Sequence, residues 1–341
     1  MPGDVTQLLA NAADAAERVP TDDDHRSDDC RSDASSQRAS AKRPRAGDGT
    51  SDLSDAPCVT ETLAVGSPNS TASTTDTAPT EARARPSRRT YRYHFSIEGS
   101  IGTGKSTTLE LVQKHLEEHL VASNGRPLPV RVHVQPEPVD VWCKAGLLNA
   151  MYTTQRLRAQ GLAVPEEALL EPAAFQTVAA VTRARGVVDG WDALDKMAAE
   201  IDDGANFEVQ VLITERSLVS DYMVFAKSLL KNMDLVAYRC VYDSLSAMLQ
   251  RGAEEHTVFL ELGVDALMER IAHRGRSEEK EIDAEYLTML EAAHKDLKES
   301  MSTTPNRCIS IDATRSPDKV AIGVSGYVLK TITQSITQRS A

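Results

Sequence analysis

The sequence predicts an α/β fold, a doubly wound five-stranded parallel sheet with helices on both faces. Two observations support this prediction. Five short apolar segments with strand character alternate with helical segments over residues 91–340, and such alternation is typical of parallel sheets. The first strand also runs directly into a glycine-rich loop and then a helix, the order found in phosphate-binding P-loop proteins.

The strand segments are bounded by turns or polar residues. They cover residues 93–98, 130–134, 209–215, 257–262 and 307–312. Helical patterns occupy residues 105–121, 141–160, 166–186, 190–203, 217–250, 264–275, 283–300 and 317–335. Ligands of such sheets bind beyond the carboxyl ends of the strands. The polar residues that follow each strand are therefore the first candidates for a functional site.

The glycine-rich loop has the strongest chemical signal in the sequence. Residues 99–106 read G-S-I-G-T-G-K-S, which matches the G-x-x-x-x-G-K-S/T pattern whose backbone N–H groups surround phosphate oxygens. Lys105 is expected to reach the β- and γ-phosphates, and Ser106 a Mg²⁺ ion. The predicted triphosphate-binding residues are Gly99, Ser100, Ile101, Gly102, Thr103, Gly104, Lys105, Ser106 and Thr107.

Residues 1–90 differ in composition from the rest of the chain. They are rich in Ser, Thr, Asp, Ala, Pro and Arg and nearly lack aromatic residues, so we predict a disordered low-complexity tail followed by one folded domain over 91–340. The net charge of −12 argues against a general nucleic-acid-binding surface. Two basic clusters, at 42–45 and 83–89, are either a nuclear-import signal or solvated linker charge.

Cysteine content and hydropathy indicate the cellular setting. The five cysteines are odd in number, widely spaced and without metal-ligand spacing, which favours reduced thiols in the cytoplasm or nucleus. There is no apolar run of about 18 residues that could span a membrane. The first residues also lack the apolar region of a signal peptide. We therefore expect no membrane partner.

Two acidic residues follow strands that we expect to lie near the glycine-rich loop. Glu137 lies between two prolines after the second strand, where a carboxylate could accept a proton from an attacking hydroxyl. An ordinary loop glutamate is the alternative. Glu215 ends the third strand, a position from which an acid assists Mg²⁺ in P-loop enzymes. A helix cap with surface charges is the alternative there.

Three arginines form a candidate lid. Arg270 and Arg274 are one helical turn apart, and Arg276 follows a glycine. Guanidinium groups on a short hinged segment could close on a phosphate and stabilise the charge of its transfer. The acidic residues that follow could equally make this a solvated charge run, but the P-loop and the two preceding acids favour the lid.

Taken together, these motifs resemble the deoxyribonucleoside kinase family. The resemblance rests on the P-loop, E-P-V-D-V-W at 137–142, F-Q-T at 175–177, E-R-S-L-V-S-D-Y-M-V-F-A at 215–226, R-I-A-H-R-G-R-S-E-E at 270–279 and E-Y-L at 285–287. One stretch, residues 151–161, resembles instead the herpesviral thymidine kinases. The long tail would also suit a large DNA virus, so a herpes-like viral origin is suspected.

The resemblance implies a P-loop kinase fold with an arginine-rich lid, and a homodimer. It implies ATP as phosphate donor, Mg²⁺, and a small nucleoside acceptor, with no nucleic-acid partner. By resemblance, Glu137 would deprotonate the 5′-hydroxyl and Arg216 would hold both the 5′-oxygen region and Glu137. The implied phosphate clamp is Lys105, Arg270, Arg274 and Arg276, and the implied metal side is Ser106 and Glu215.

The resemblance also assigns the nucleoside pocket. Gln176 would pair with the base, with Trp142 and Phe225 packed around it, while Tyr152 and Glu279 would bind the 3′-hydroxyl. In this family an Arg–Asp pair accompanies deoxycytidine and purine substrates, and the matching residues here are Arg183 and Asp221, with the small Ala179 nearby. A charged pair suits an amino-bearing base and fills the space that a thymine methyl needs.

The sequence therefore favours 5′-phosphorylation of deoxycytidine or purine deoxynucleosides, while the 151–161 stretch keeps a thymidine kinase open. A nucleoside monophosphate kinase would need a further basic site for the acceptor phosphate. A GTP-binding switch would carry an Asn-Lys-x-Asp motif, and a nucleic-acid motor an Asp-Glu pair after the third strand; neither is found in the sequence. A binding protein that acts through its basic tail is a further alternative.

Overall fold

The computed structural model describes residues 89–120, 128–200, 207–301 and 307–340. In this part of the chain five parallel strands form one sheet in the order β2-β3-β1-β4-β5. The strands are β1 (Arg89–Glu98), β2 (Val130–Gln135), β3 (Phe207–Glu215), β4 (Glu254–Glu261) and β5 (Cys308–Asp312). The predicted five-stranded parallel sheet is confirmed.

The tail predicted for residues 1–90 lies outside the described residues, except for its last two. Arg89 and Thr90 are the first residues of β1 and pair in register with Phe207 and Glu208 of β3. The sheet therefore begins two residues before the predicted start of the domain.

Eight helices surround the sheet in the described ranges. They are α1 (Lys105–His119), α2 (Val139–Lys144), α3 (Leu147–Ala159), α4 (Pro172–Glu200), α5 (Asn232–Met248), α6 (Val264–Arg274), α7 (Ala284–Met301) and α8 (Pro317–Ser340). Shorter helical segments are Glu166–Ala168, Leu218–Ser220, the π-helical Asp221–Ala226, Lys227–Leu229 and Ser277–Glu281. Among the described helices, none has an apolar stretch long enough to cross a bilayer.

Side chains of β1 alternate between the two faces of the sheet. Phe95 is fully buried and meets Tyr327 of α8 edge to face at 5.9 Å. His94 points to the other face and meets Trp191 of α4, with ring centroids 6.4 Å apart. Helices therefore cover both faces, which explains why the strands read as apolar runs rather than as a simple polar–apolar alternation.

Helix α4 is continuous where the sequence predicted two helices, over 166–186 and 190–203, and that prediction is wrong. Gly186 and Gly190 lie within the 29-residue helix. A methyl group on Gly190 would lie 2.6 Å from Leu212 Cδ1, and one on Gly186 would lie 3.2 Å from Gln135 Nε2. These glycines allow the helix to pack closely against β2 and β3, so they are contact points and not helix ends.

The helix predicted over 217–250 is also wrong as a single element. The backbone becomes extended at Leu230 and Lys231, and α5 starts at Asn232, which has a φ of 53°. Arg216, which directly precedes the predicted helix, has a φ of 67°. A non-glycine residue in this left-handed conformation is uncommon. At Arg216 this conformation turns the chain sharply, directly after the end of β3.

Candidate active site

A cleft opens at the carboxyl ends of β1, β2 and β3. It is bordered by the glycine-rich loop, by α2, α3 and α4, and by the segment after α6. Its lining comprises Ile101, Gly102, Lys105, Ser106, Glu137, Val139, Trp142, Leu148, Met151, Tyr152, Phe175, Gln176, Ala179, Arg183, Glu215, Arg216, Asp221, Phe225, Arg274, Arg276, Glu279 and Tyr286. Of the predicted catalytic, substrate and metal residues, Arg270 alone does not line it.

The predicted phosphate-binding residues form the loop between β1 and α1 and the first turn of α1. Gly102 and Gly104 have φ angles of 90° and 94°, which glycine adopts without strain. The buried Lys105 donates from Nζ to the carbonyl oxygens of Gly99 and Ser100, at 3.2 and 3.0 Å. The loop's own carbonyls thus hold the ammonium that a phosphate would attract.

Burial lowers the pKa of Lys105, and the charge of Arg216 lowers it further, to about 8. Nearby carboxylates oppose this shift. The ammonium form therefore predominates at neutral pH but begins to lose its proton within the range in which enzymes are commonly assayed.

Ser106 and Glu215 are close enough to share one metal ion. Ser106 Oγ donates to Glu215 Oε1 at 3.1 Å. A hydroxyl and a carboxylate are hard oxygen donors, the type that Mg²⁺ prefers, and Mg²⁺ commonly takes its other ligands from substrate phosphates and water. Among the described residues, no group of three or more His, Cys, Asp or Glu side chains could hold a metal ion. The Ser106–Glu215 pair therefore suits an ion that takes its remaining ligands from the substrate and from water.

Glu137 follows β2 and lies against two arginines. Arg183 Nη2 donates to Glu137 Oε1 in a short hydrogen bond, and Arg216 Nε lies 3.4 Å from the same oxygen. Burial alone would raise the pKa of Glu137, but the charges of Arg183, Arg216 and Lys105 outweigh it and lower the pKa to about 2. The carboxylate is therefore ionised at any ordinary pH.

Arg183 connects this carboxylate to Asp221, at the deep end of the cleft. Its Nη1 donates to both Asp221 oxygens, at 2.7 and 2.8 Å, and both residues are buried. Burial raises the pKa of Asp221, to about 7, whereas Arg183 favours its charged form. Arg183 Nε is buried without a hydrogen-bond partner in the described structure. Arg183 and Asp221 both line the cleft, so the pair places a carboxylate acceptor at its wall.

The deep end of the cleft is partly aromatic. Trp142 and Phe175 meet edge to face at 5.6 Å, and Trp142 Nε1 donates to Thr182 Oγ1 at 3.0 Å. Gln176 lies beside them on α4 and is buried, yet no side-chain hydrogen bond to it is found among the described residues. The small Ala179 follows one turn later and leaves room there. A planar heterocycle with hydrogen-bonding edges would fit this space.

The mouth of the cleft holds the predicted lid residues. Arg274 Nη2 and Arg276 Nη1 donate to opposite oxygens of Glu279, the second at 3.2 Å. Tyr152 lies next to this cluster and meets Tyr286 at 6.4 Å. Burial raises the pKa of Tyr152, so its phenol stays protonated and able to donate. Glu279 therefore holds both Arg274 and Arg276 in place.

Arg270 has a different position from the other two arginines. Its Nη1 donates to the carbonyl oxygen of Thr103 at 3.1 Å, and its Nη2 to that of Ala313 at 2.8 Å. It braces the glycine-rich loop against the segment after β5. Its predicted place in the phosphate clamp stays a prediction.

Two buried residues near the cleft were missed by the sequence analysis. Glu98 is the last residue of β1, and its Oε1 accepts hydrogen bonds from Ser217 N and Ser217 Oγ, both at 2.7 Å. His294 of α7 lies 3.3 Å from Arg216 Nη1 through its Nε2. An acid directly before the first glycine of the loop was a signal for Glu98. His294 lies on a helix far along the chain and had no such signal.

Comparison with known proteins gives a consistent result. A sequence model of the family described as "Deoxynucleoside kinase" matches residues 95–322, which is more than half of the 341 residues. The matched range includes every residue that lines the cleft.

Individual relatives carry related names. The chain is 30% identical over 212 residues to deoxycytidine kinase 2 of Gallus gallus, covering 59% of this chain and 72% of that protein. It is 26% identical over 212 residues to deoxycytidine kinase of Homo sapiens (59% and 73% covered). It is 25% identical over 206 residues to a probable deoxycytidine kinase of fowlpox virus, strain NVSL (59% and 69% covered). Since the family match spans the whole cleft, this chain belongs to the deoxynucleoside kinase family and is a phosphotransferase.

Proposed function

We propose that this deoxynucleoside kinase transfers the γ-phosphoryl group of ATP to the 5′-hydroxyl of deoxycytidine or a purine deoxynucleoside, in preference to thymidine. The observation that carries the preference is the buried Arg183–Asp221 pair at the deep end of the cleft. Relatives named deoxycytidine kinases, in a bird, a mammal and a poxvirus, support the same choice.

Hydrogen-bond complementarity gives the physical reason. Cytosine and adenine place an amino donor beside a ring-nitrogen acceptor, so Asp221 would accept from the amino group while the Gln176 amide would donate to the ring nitrogen. Thymine has a carbonyl oxygen in place of this amino group, so it would set acceptor against acceptor at Asp221. Guanine carries the same carbonyl oxygen, so among the purine deoxynucleosides this argument favours deoxyadenosine. A mismatch that leaves buried polar groups unpaired is strongly disfavoured. Gln176, for which the described residues offer no side-chain hydrogen bond, would supply bonds to the base.

The proposed reaction is an in-line displacement at the γ-phosphorus. The 5′-oxygen forms a bond to phosphorus, the bond from phosphorus to the β–γ bridging oxygen breaks, and ADP leaves. Glu137 accepts the hydroxyl proton. Because the pKa of Glu137 is low, we infer that the proton moves only as the oxygen–phosphorus bond forms and the hydroxyl becomes strongly acidic.

The remaining charged residues would stabilise the phosphates. Lys105 would exchange the loop carbonyls for phosphate oxygens, and Arg274 and Arg276 would leave Glu279 to contact the transferred group. Ser106 and Glu215 would hold Mg²⁺, which when bound neutralises charge on the phosphate oxygens. Glu279, once released by the two arginines, would accept a hydrogen bond from the 3′-hydroxyl, with Tyr152 beside it.

The test is a substrate comparison with the purified full chain. With ATP and Mg²⁺, kcat/KM is measured for deoxycytidine, deoxyadenosine, deoxyguanosine and thymidine, and for thymidine monophosphate as acceptor. We expect phosphorylation of deoxycytidine or a purine deoxynucleoside to exceed that of thymidine. Thymidine as the single good substrate would overturn the preference, and thymidine monophosphate as the best acceptor would favour a nucleoside monophosphate kinase.

We also propose a homodimer formed through α4 and α5. Val181 of α4 is 46% exposed, and Met233 and Val236 of α5 are 72% and 40% exposed. The two helices pack on one another, and α5 buries only Tyr238 among its own residues. An apolar surface of this kind is typical of an interface. Light scattering should give twice the chain mass for the wild type and the single chain mass for Met233→Glu with Val236→Glu; a monomeric wild type would contradict the proposal.

A cytoplasmic or nuclear location is proposed on the basis of the odd number and wide spacing of the cysteines and of the basic clusters. Cys143 and Cys308 are free thiols in the described structure, which suits a reducing compartment. Imaging of a fluorescent fusion, with and without alanine at Lys42, Arg43 and Arg45, would show whether the first basic cluster directs import.

A further inference from the structure

Arg216 has an unusual environment for a charged residue. Its side chain is 2% exposed, and its backbone has the left-handed φ of 67°. Its amide N–H donates to the carbonyl oxygen of Ile97 at 3.0 Å, which fixes the turn against β1. The side chain therefore leaves a rigid backbone and has few alternative directions.

Besides Glu137, the guanidinium lies close to Phe225, Glu98 and His294. The Cζ atom lies 4.8 Å from the ring centroid of Phe225. Nη1 lies 4.0 Å from Glu98 Oε2, which is beyond hydrogen-bond distance. The same Nη1 lies 3.3 Å from His294 Nε2. His294 Nε2 is therefore within hydrogen-bond distance of Nη1, whereas Glu137 lies nearest to Nε of the same guanidinium.

The neighbours of His294 determine its protonation state and tautomer. Its Nδ1 lies 2.7 Å from the carbonyl oxygen of Leu290, one turn earlier on α7. A carbonyl can only accept, so Nδ1 must carry the proton. Arginine can only donate, so Nε2 must present its lone pair to Nη1. Burial and the Arg216 charge lower the pKa of His294 to about 3, so the ring stays neutral.

We propose that His294 is a positioning residue that orients Arg216 toward Glu137 and the transferred phosphoryl group through a neutral hydrogen-bond acceptor. A carboxylate in this place would compete with Glu137 for the guanidinium. A neutral acceptor fixes Nη1 of Arg216 and leaves the guanidinium charge available to Glu137 and the transferred phosphoryl group. The inference rests on the proposed role of Arg216 in the reaction.

The test compares variants of His294 in the full chain. His294→Phe keeps a ring of similar size but removes the acceptor, and we expect kcat to fall about 10- to 100-fold while KM for nucleoside and ATP changes little. His294→Gln places an amide oxygen near the former Nε2 and should restore most of kcat. His119→Phe is the matched control, because His119 makes the same 2.7 Å contact through Nδ1 to the carbonyl of His115 without touching Arg216.

A double-mutant cycle separates positioning from general packing. If His294 acts through Arg216, His294→Phe should cost much less in an Arg216→Lys background than in the wild type. An equal loss in both backgrounds, or no loss in either, would overturn the inference. Arg216→Lys alone reports on the proposed function, because an unchanged kcat there would remove Arg216 from the reaction whatever His294 does.

The tautomer itself can be measured without an activity assay. Nitrogen NMR of the imidazole at pH 6–8 should show a neutral ring with the proton on Nδ1. A proton on Nε2, or a charged ring, would overturn the inference even if His294→Phe does not fold.

Discussion

Arg183 donates from one nitrogen, Nη1, to both carboxylate oxygens of Asp221, at 2.7 and 2.8 Å. The side chains are 5% and 2% exposed. Removing one partner would leave the other as a buried unpaired charge, which is strongly destabilising. Any test of the pair's role in substrate choice should therefore replace both residues together.

The first prediction concerns base selectivity. Arg183→Met combined with Asp221→Ala removes the charges and opens space at the deep end of the cleft. We expect the ratio of kcat/KM for deoxycytidine to that for thymidine to fall by about tenfold or more, since unpaired polar groups no longer penalise thymine. Steady-state kinetics with both nucleosides measure the ratio.

Arg185→Met is the matched control for this variant. Arg185 lies two residues along the same helix, its side chain is 74% exposed, and it pairs with Asp189. Its replacement should leave selectivity unchanged. If the double variant also keeps the wild-type ratio, the Arg183–Asp221 pair is structural and does not read the base.

Much of the fold was predictable because its signals are local. The apolar runs of the strands and the spacing of the glycine-rich loop do not depend on distant residues, and both were found from the sequence. Gly190 misled the prediction because a glycine inside a helix costs roughly 0.5–1 kcal/mol relative to alanine. In the folded chain its lack of a side chain permits contact with Leu212, and that contact is invisible from local sequence.

The site was predictable in part for the same reason. Glu137 and Glu215 each follow a strand, so sheet topology alone places them near Lys105. The contact of His294 with Arg216 joins residues 78 positions apart and depends on how α7 packs against the end of β3. Likewise, the direction of the Arg270 side chain toward Thr103 and Ala313 depends on the fold of the loop after β5.

The second prediction concerns the proposed base. Glu137→Gln keeps the size of the side chain and can still accept a hydrogen bond, but it cannot take up the hydroxyl proton. We expect kcat to fall by about 10²–10⁴-fold with smaller changes in KM. Glu110→Gln, on an exposed position of α1, is the control. A rate within a few-fold of the wild type for Glu137→Gln would remove Glu137 from the proton transfer.

The third prediction is a pH dependence of ATP binding. Because the pKa of Lys105 in the folded chain is about 8, the free protein should bind ATP more weakly as pH rises from 8 to 9.5. The pKa of Lys105 is lower in the folded chain than in the unfolded chain, so between pH 8 and 9.5 the unfolded chain binds more protons at this lysine. Deprotonation of Lys105 therefore does not lower the free energy of unfolding. Calorimetry of ATP binding measures the dependence.

Lys105→Arg tests the assignment, since a guanidinium keeps its proton over this range. Its affinity for ATP should be nearly constant from pH 8 to 9.5, whatever its absolute value. Lys114→Arg, on an exposed position of α1, should retain the wild-type dependence. The same loss of affinity in Lys105→Arg would assign the titration to another group.

The fourth prediction concerns the backbone that carries the phosphate-binding loop. Gly99 has a φ of 145°, and a methyl group there would lie 2.7 Å from the carbonyl oxygen of Leu260. Leu260 belongs to β4, which is paired with β1 and β5, so its carbonyl cannot move aside without breaking the sheet. Gly99→Ala should therefore lower the free energy of unfolding by about 1–3 kcal/mol and Tm by several degrees.

Gly263→Ala is the matched control, because no described residue lies within 4 Å of a methyl group at that position and its φ of −67° suits alanine. Its Tm should change little. The Gly99 carbonyl also accepts a hydrogen bond from Lys105 Nζ, so a displaced loop should weaken ATP binding as well as stability. Equal Tm values for the two variants would show that the loop relaxes around the added methyl group, and that its geometry is less constrained than the contact with Leu260 indicates.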